Sequence, residues 1–156
     1  MSTYTAKIHW AYAGDKFTAN AYSRAHSWSF DGGLSVPASA SPLIVPLPMS
    51  VAENVDPEEA FVASISSCHM LWFLSFAANA GHSIAAYTDQ AVGTMGRNSS
   101  RQLAMLTVEL NPLITLAGGH ELDARIAKQL HNKAHSQCFI ANSVRTEIIV
   151  NSGGEL

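Results

Sequence analysis

The sequence predicts an α+β fold whose elements follow the order βββ-α-ββ-α-β. Runs of alternating apolar and polar residues occupy both parts of the chain, and a long segment without charged residues lies between them. Because the strands come in runs rather than as repeated β-α-β units, the pattern favours an α+β protein over a parallel α/β sheet. The 156 residues, 47% of them apolar, suffice for a single domain covering residues 1–156.

Three strands are predicted before the helix. Residues 4–12 alternate in polarity as a half-buried strand does, and residues 17–30 continue the pattern. The sequence Asp-Gly-Gly at residues 31–33 is a hairpin turn that leads to a short third strand at residues 34–40. Three prolines mark residues 41–53 as the loop before the helix.

The long helix has predicted boundaries at both ends. Asp56 is a good N-cap, Pro57 suits the first turn, and Glu59 completes a capping box. Gly81 is a suitable residue just after the last turn. Helical spacing places five residues on one apolar stripe: Phe61, Ile65, Cys68, Trp72 and Phe76.

Such a helix spans roughly 36 Å and should be buried on most sides. The strands of one chain cannot easily cover it. The sequence therefore predicts an intertwined homodimer with the long helices of two chains packed centrally.

After this helix, residues 84–95 and 103–110 are predicted to pair around a polar turn, with Pro112 ending the second strand. Two consecutive glycines then introduce a helix that extends to about Ala134. Residues 144–150 form the last strand.

Composition excludes several classes of partner. A net charge of −3 argues against nucleic acid or an anionic membrane as the main partner. The long helix is too polar for a membrane span. The N-terminus lacks an apolar signal core, so a cytoplasmic protein is expected, in which two cysteines are thiols or a redox pair.

Two thiols and two charged residues are the candidates for chemistry. Cys68 lies in the middle of a helix, so a thiolate there needs a cation from elsewhere. Arg24, on the aromatic face of the second strand, is the leading candidate for that cation, and Glu58 is a candidate partner for it. Ten residues of helix, about 15 Å, separate Glu58 from Cys68, so Glu58 would serve the thiol of a partner subunit.

Cys138 is predicted to start a short turn capped by Ser136, a position that lowers a thiol pKa.

Each candidate also has a structural interpretation. Cys68 fits a small core residue, and Arg24 fits a strand residue that reaches water. Glu58 and Glu59 suit the positive end of a helix dipole.

A metal site is a further alternative. His131 and His135 lie four apart on a helix, close in sequence to Cys138. No second ligand pair at zinc spacing accompanies them, so no metal is predicted.

Two segments resemble the OsmC/Ohr family. One runs from Asp56-Pro57-Glu58-Glu59 through Ser67-Cys68-His69-Met70 to Gly81, and the other from Ala134 through Cys138 to Ser143. The N-terminal segment from Ser23 to Gly33 is similar to one OsmC-like branch. The element order matches over essentially the whole chain.

The resemblance implies an OsmC-like fold, an intertwined homodimer and thiol-dependent reduction of organic hydroperoxides. Cys68 would be the peroxidatic thiolate and Cys138 the resolving thiol. Arg24 would stabilise the thiolate and orient the peroxide, with Glu58 holding the arginine. An external dithiol would reduce the resulting disulfide, and no haem, flavin or metal is required.

Phe139 stands where the family commonly has proline, and His69 where it has an apolar residue, which favours the OsmC-like branch over the Ohr branch. Other arginines are alternatives to Arg24, namely Arg97, Arg101 and Arg145. The alternative function is a non-enzymatic dimer that binds a small apolar or thiol-reactive ligand near Cys68.

Overall fold

The computed structural model describes residues 1–14 and 17–151, and the last five positions of the predicted 1–156 domain lie outside this range. The α+β class is confirmed, with strands before and after a long helix. The chain has two compact units, Met1–Ala60 and Phe61–Leu156, and each is described by itself below. A single domain over residues 1–156 stays a prediction.

An antiparallel sheet of three strands lies in the N-terminal unit: β1 (Ala6–His9), β2 (His26–Phe30) and β3 (Ser35–Ala38). The strands are shorter than predicted, and β1 is exposed along its whole length rather than half-buried. Residues 17–19 form a 3-10 turn instead of a strand. The reason is local aromatic packing, because Phe17 stacks on Tyr22 at 4.6 Å and contacts Trp10 at 5.9 Å between ring centroids.

Helix α1 (Pro57–Asn79) has the predicted ends. The Glu59 N–H donates to the Asp56 carboxylate at 2.8 Å, and the Asp56 N–H donates to the Glu59 carboxylate at 3.2 Å, which completes the capping box. At the other end Gly81 has φ 82°, and the His82 N–H donates to the Ala77 carbonyl at 2.9 Å.

Burial of α1 differs from the prediction. Its buried residues recur every fourth position: Ile65, His69, Phe73 and Ala77. Within one chain only this face is covered, and Leu71 on another face is 63% exposed. Helix α1 is long and apolar enough to pass a length-and-composition test for a membrane span, which the core helices of soluble proteins also pass.

Five strands follow α1: β4 (Ile84–Asp89), β5 (Val92–Arg97), β6 (Leu103–Leu110), β7 (Pro112–Leu116) and β8 (Glu147–Val150). Strands β4 and β7 form an antiparallel pair, while β5, β6 and β8 form a second sheet in which β6 and β8 are parallel.

The strand predicted at residues 84–95 is therefore two strands in different sheets. The break follows Asp89, whose carboxylate accepts hydrogen bonds from the Ser66 hydroxyl and the Asn111 N–H. Strand β6 ends just before Pro112, as predicted, but Pro112 also starts a further strand, β7, because a first position in a strand tolerates the missing N–H.

Helix α2 (Ala124–Gln137) packs on α1 within the C-terminal unit. Leu130 and Ala134 join Phe73 and Ala77 in one core cluster. A second cluster is formed by Ile65, Val108 and Leu110. Helix α2 continues one turn beyond the predicted end at Ala134, so that Cys138 is its C-cap. This extra turn determines where the second thiol lies.

Candidate dithiol site

The two cysteines, 70 positions apart, come together in the C-terminal unit. Cys68 is half-buried in the middle of α1, and Cys138 is 1% exposed at the end of α2. Both are free thiols, and their side chains are close enough for Cys68 to raise the pKa of Cys138. The Cys138 N–H donates to the Ala134 carbonyl at 2.9 Å, which ties the second thiol to the last turn of α2.

The two thiols differ in their electrostatic surroundings. The pKa of Cys138 is raised to about 11, mainly by burial and also by the neighbouring Cys68 thiol, whereas the Ala141 N–H, 3.4 Å from the sulfur, opposes the shift. The predicted lowering of this pKa is therefore wrong. Cys138 does open the predicted turn, because the Asn142 N–H donates to its carbonyl and the Ala141 N–H to its sulfur. It is also the C-cap of α2, and its thiol is buried there and protonated near neutral pH.

Aromatic side chains flank the thiols. Trp72, one turn after Cys68, stacks on Phe76 with 5.5 Å between ring centroids. Phe139, next to Cys138, meets the Trp72 ring edge-on at 5.5 Å and is 65% exposed. These rings offer an apolar contact beside the half-buried sulfur of Cys68.

A buried histidine pair was missed by the sequence analysis. His69 and His131 are 1% and 2% exposed, and Nε2 of His69 lies 2.9 Å from Nδ1 of His131. The rings are nearly parallel at 12°, and His131 also stacks on Phe73 with 4.4 Å between centroids. His69 lies four positions after Ile65 and four before Phe73, and this helical spacing is the sequence signal that it is buried. Because histidine is polar, His69 was left out of the predicted apolar stripe.

Both imidazoles are held neutral. Burial lowers the pKa of His69 to about 4, a nearby His135 lowers it further, and Asp89 opposes the shift. Burial likewise lowers the pKa of His131 to about 4, and His69 contributes to the same effect. His135 is exposed, whereas His131 is buried against His69. Within residues 1–14 and 17–151 no group of three potential metal ligands occurs.

Arg24 and Glu58 belong to the N-terminal unit. The Arg24 guanidinium lies 3.6 Å from the centre of the Tyr22 ring and donates to the Tyr22 carbonyl. It also donates to the carbonyl of Asn20 at 3.1 Å and to the side chain of Asn20 at 2.6 Å. None of the hydrogen bonds of the described residues joins it to Glu58. Arg24 precedes β2 and is not on the face of a strand.

Glu58 is half-buried in the first turn of α1. Helix α1 is continuous through Cys68, so ten residues separate Glu58 from this thiol by about 15 Å along the axis.

The fold and site define an α+β protein with a half-exposed thiol and a buried thiol in contact. A model of the OsmC-like protein family matches residues 51–152, well over half of the chain. The chain belongs to the OsmC-like family.

Solved structures agree with this assignment. An OsmC-like protein of unknown function from Vibrio cholerae is 48% identical, with a TM-score of 0.93 over 97% of this chain and 99% of that one. An organic hydroperoxide resistance protein from Elizabethkingia anophelis, with thiocyanate bound, has 20% identity and a TM-score of 0.67 over 96% and 94% of the two chains. One from Legionella pneumophila has 17% identity and a TM-score of 0.65 over 97% and 95%. The last two comparisons show the fold alone. No curated protein matches the chain.

Proposed function

We propose that this protein is a thiol-dependent peroxidase that reduces organic hydroperoxides to alcohols in the cytoplasm. The observation that carries the proposal is the contact between the half-exposed Cys68 and the buried, protonated Cys138. A peroxidatic sulfur must be reached by substrate, whereas a resolving sulfur needs only to reach the first one. The family includes hydroperoxide-resistance proteins, which supports the same assignment.

In the first step the Cys68 thiolate attacks one oxygen of the O–O bond. The bond breaks, the alkoxide leaves and takes a proton to become the alcohol, and Cys68 becomes a sulfenic acid. In the second step the Cys138 sulfur attacks the Cys68 sulfur. Water leaves with the Cys138 proton, and a disulfide forms. An external dithiol then reduces this disulfide by exchange and is itself oxidised.

The rings of Trp72, Phe76 and Phe139 favour an organic hydroperoxide over hydrogen peroxide, because their apolar faces attract the organic group, which hydrogen peroxide lacks. The proposal includes a homodimer, in which Glu58 serves the site of the partner subunit. The length of α1 between Glu58 and Cys68 supports this arrangement.

The test is the intact mass of the reduced protein after one equivalent of cumene hydroperoxide. We expect a loss of two hydrogens, and we expect either Cys68→Ser or Cys138→Ser to abolish that loss. An unchanged mass and an unchanged thiol titre would refute the peroxidase proposal.

A second function is favoured by the exposed Phe139 beside the thiols. In this alternative the protein is a non-enzymatic dimer that binds a small apolar or thiol-reactive ligand. Unchanged thiols after peroxide treatment, together with saturable binding of an apolar probe that Phe139→Ala removes, would favour it.

The role of Arg24 has its own test. Arg24→Ala should slow the reaction of Cys68 with cumene hydroperoxide by roughly 10- to 100-fold, because a cation that orients the peroxide and stabilises the thiolate is worth a few kcal/mol. Stopped-flow thiol loss measures this rate. The same substitution at Arg97, Arg101 and Arg145 provides matched controls, which should retain the rate. Loss of rate in one of these variants but not in Arg24→Ala would reassign the role.

A further inference from the structure

The histidine pair joins the two helices that carry the two thiols. His69 directly follows Cys68 in α1, and His131 lies seven residues before Cys138 in α2. Seven residues are close to two helical turns, so His131 and the C-cap Cys138 lie on nearly the same side of α2, about 10 Å apart along its axis. Adjacent residues of α1 therefore contact two separate points of α2.

Two contacts fix the position of one helix on another better than one does. Leu130 and Ala134 of α2 pack on Phe73 and Ala77 of α1, but apolar contact is not directional, so by itself it allows α2 to shift and the sulfur atoms to separate. The hydrogen bond between His69 and His131 provides the second point. Its surroundings are rigid, because His131 stacks on Phe73, which is 0% exposed and packs with Ala77 and Leu130.

The direction of this hydrogen bond follows from the unpaired atom. Nδ1 of His69 is buried and has no partner among the described residues. In a neutral imidazole one nitrogen carries the hydrogen and the other accepts. If Nδ1 carried the hydrogen, a buried N–H would be left unpaired, which is rarer in proteins than an unpaired acceptor. Nε2 of His69 is therefore the donor, and Nδ1 of His131 is the acceptor.

We propose that this hydrogen bond is a positioning contact that holds α1 and α2 so that Cys68 and Cys138 stay within reach of each other. It acts on the second step of the proposed function, on which this inference rests. The contact raises the effective concentration of Cys138 at the Cys68 sulfur, and so favours the disulfide both in rate and at equilibrium. His69 and His131 touch no reacting atom in this role.

The test uses variants of the whole protein. His69→Leu removes the donor and leaves only an unpaired acceptor on His131. His69→Gln keeps an N–H near the position of Nε2 and should rescue the contact. His135→Leu, an exposed histidine on the same helix, is the matched control. The double variant His69→Leu/His131→Leu replaces both partners by apolar groups, an exchange that is close to neutral for stability. It takes the place of His69→Leu in the measurements if that single variant does not fold.

The first readout is the equilibrium between Cys68–Cys138 dithiol and disulfide in buffers of reduced and oxidised dithiothreitol. For His69→Leu we expect the equilibrium to shift about tenfold toward the dithiol, which corresponds to about 30 mV. For His69→Gln and His135→Leu we expect a change of less than about twofold, since both keep the contact. A folded His69→Leu variant, or the folded double variant, with the wild-type equilibrium would overturn the proposal.

The second readout separates the steps of the peroxide reaction. In His69→Leu the rate at which Cys68 consumes cumene hydroperoxide should stay the same, whereas its sulfenic acid should persist about ten times longer before the disulfide forms. Slowing of both steps alike would indicate a general loss of structure and would count against the proposal. The dithiothreitol equilibrium needs no peroxide, so a protein that fails to react with peroxide refutes the peroxidase and leaves the positioning test intact.

Discussion

Cys68→Ser should abolish peroxide consumption, with a loss of more than about 1,000-fold, because it removes the sulfur that attacks the O–O bond. Cys138→Ser should behave differently. The half-buried Cys68 of this variant still reacts once, and its mass increases by one oxygen as the sulfenic acid. Turnover with an external monothiol in place of the internal disulfide should then be possible. The two substitutions therefore separate the first step from the second.

The measurement is single-turnover kinetics with cumene hydroperoxide, followed by trapping of the sulfenic acid with dimedone. Only Cys138→Ser should be labelled in high yield. Because burial raises the pKa of Cys138 to about 11, exchanged roles, with Cys138 attacking first, would require a buried thiol to ionise. Dimedone labelling of Cys138 in the Cys68→Ser variant would show that the roles are reversed.

Helix ends were predictable because capping chemistry is local. The residues that cap α1, Asp56 and Glu59, lie three apart, and the hydrogen bonds between them confirm the predicted capping box. The pairing of β4 with β7 was not predicted, because it depends on residues more than twenty positions apart. The alternation of residues 84–95 continues through Asp89, and only the contacts of this carboxylate with Ser66 and Asn111 reveal the break.

The two thiols of the site were predictable, whereas the environment of Cys138 and the histidine pair were not. Resemblance to a family identified Cys68 and Cys138, and the fold brings these thiols together. The environment of Cys138 was not predictable, because one additional turn of α2 places this residue at the end of the helix as its C-cap. His69 and His131 could not be paired from the sequence, because apolar spacing is scored on apolar residues and a neutral buried histidine packs as one of them.

Stability should fall as the pH is lowered from about 6.5 to about 4, and the histidine pair should account for a large share of the loss. Both imidazoles have a folded-state pKa of about 4, below the usual histidine pKa of 6.5. Between these values the unfolded chain binds more protons than the folded protein, so protons favour unfolding. Above about pH 7 neither state binds these protons, and the contribution is constant. Because the two imidazoles interact and titrate as a pair, we expect a combined loss on the order of a few kcal/mol between pH 7 and pH 4.

Urea unfolding at fixed protein concentration, repeated across this pH range, measures the slope. The double variant His69→Leu/His131→Leu has no imidazole to protonate at this position. Its free energy of unfolding should therefore fall less than that of the wild type, by the amount attributed to the histidine pair. His135→Leu should reduce the change of stability with pH only slightly, because His135 lowers the pKa of His69 less than burial does. Asp89, which raises this pKa, remains in the variant. Parallel pH profiles for the wild type and the double variant would mean that the buried pair is not the source of the acid sensitivity. A steeper profile in the wild type would instead show that the pair binds protons more weakly in the folded protein than in the unfolded chain. A proton on Nδ1 of His131 would place two N–H groups against each other, so the hydrogen bond beside the two thiols requires this nitrogen to stay unprotonated.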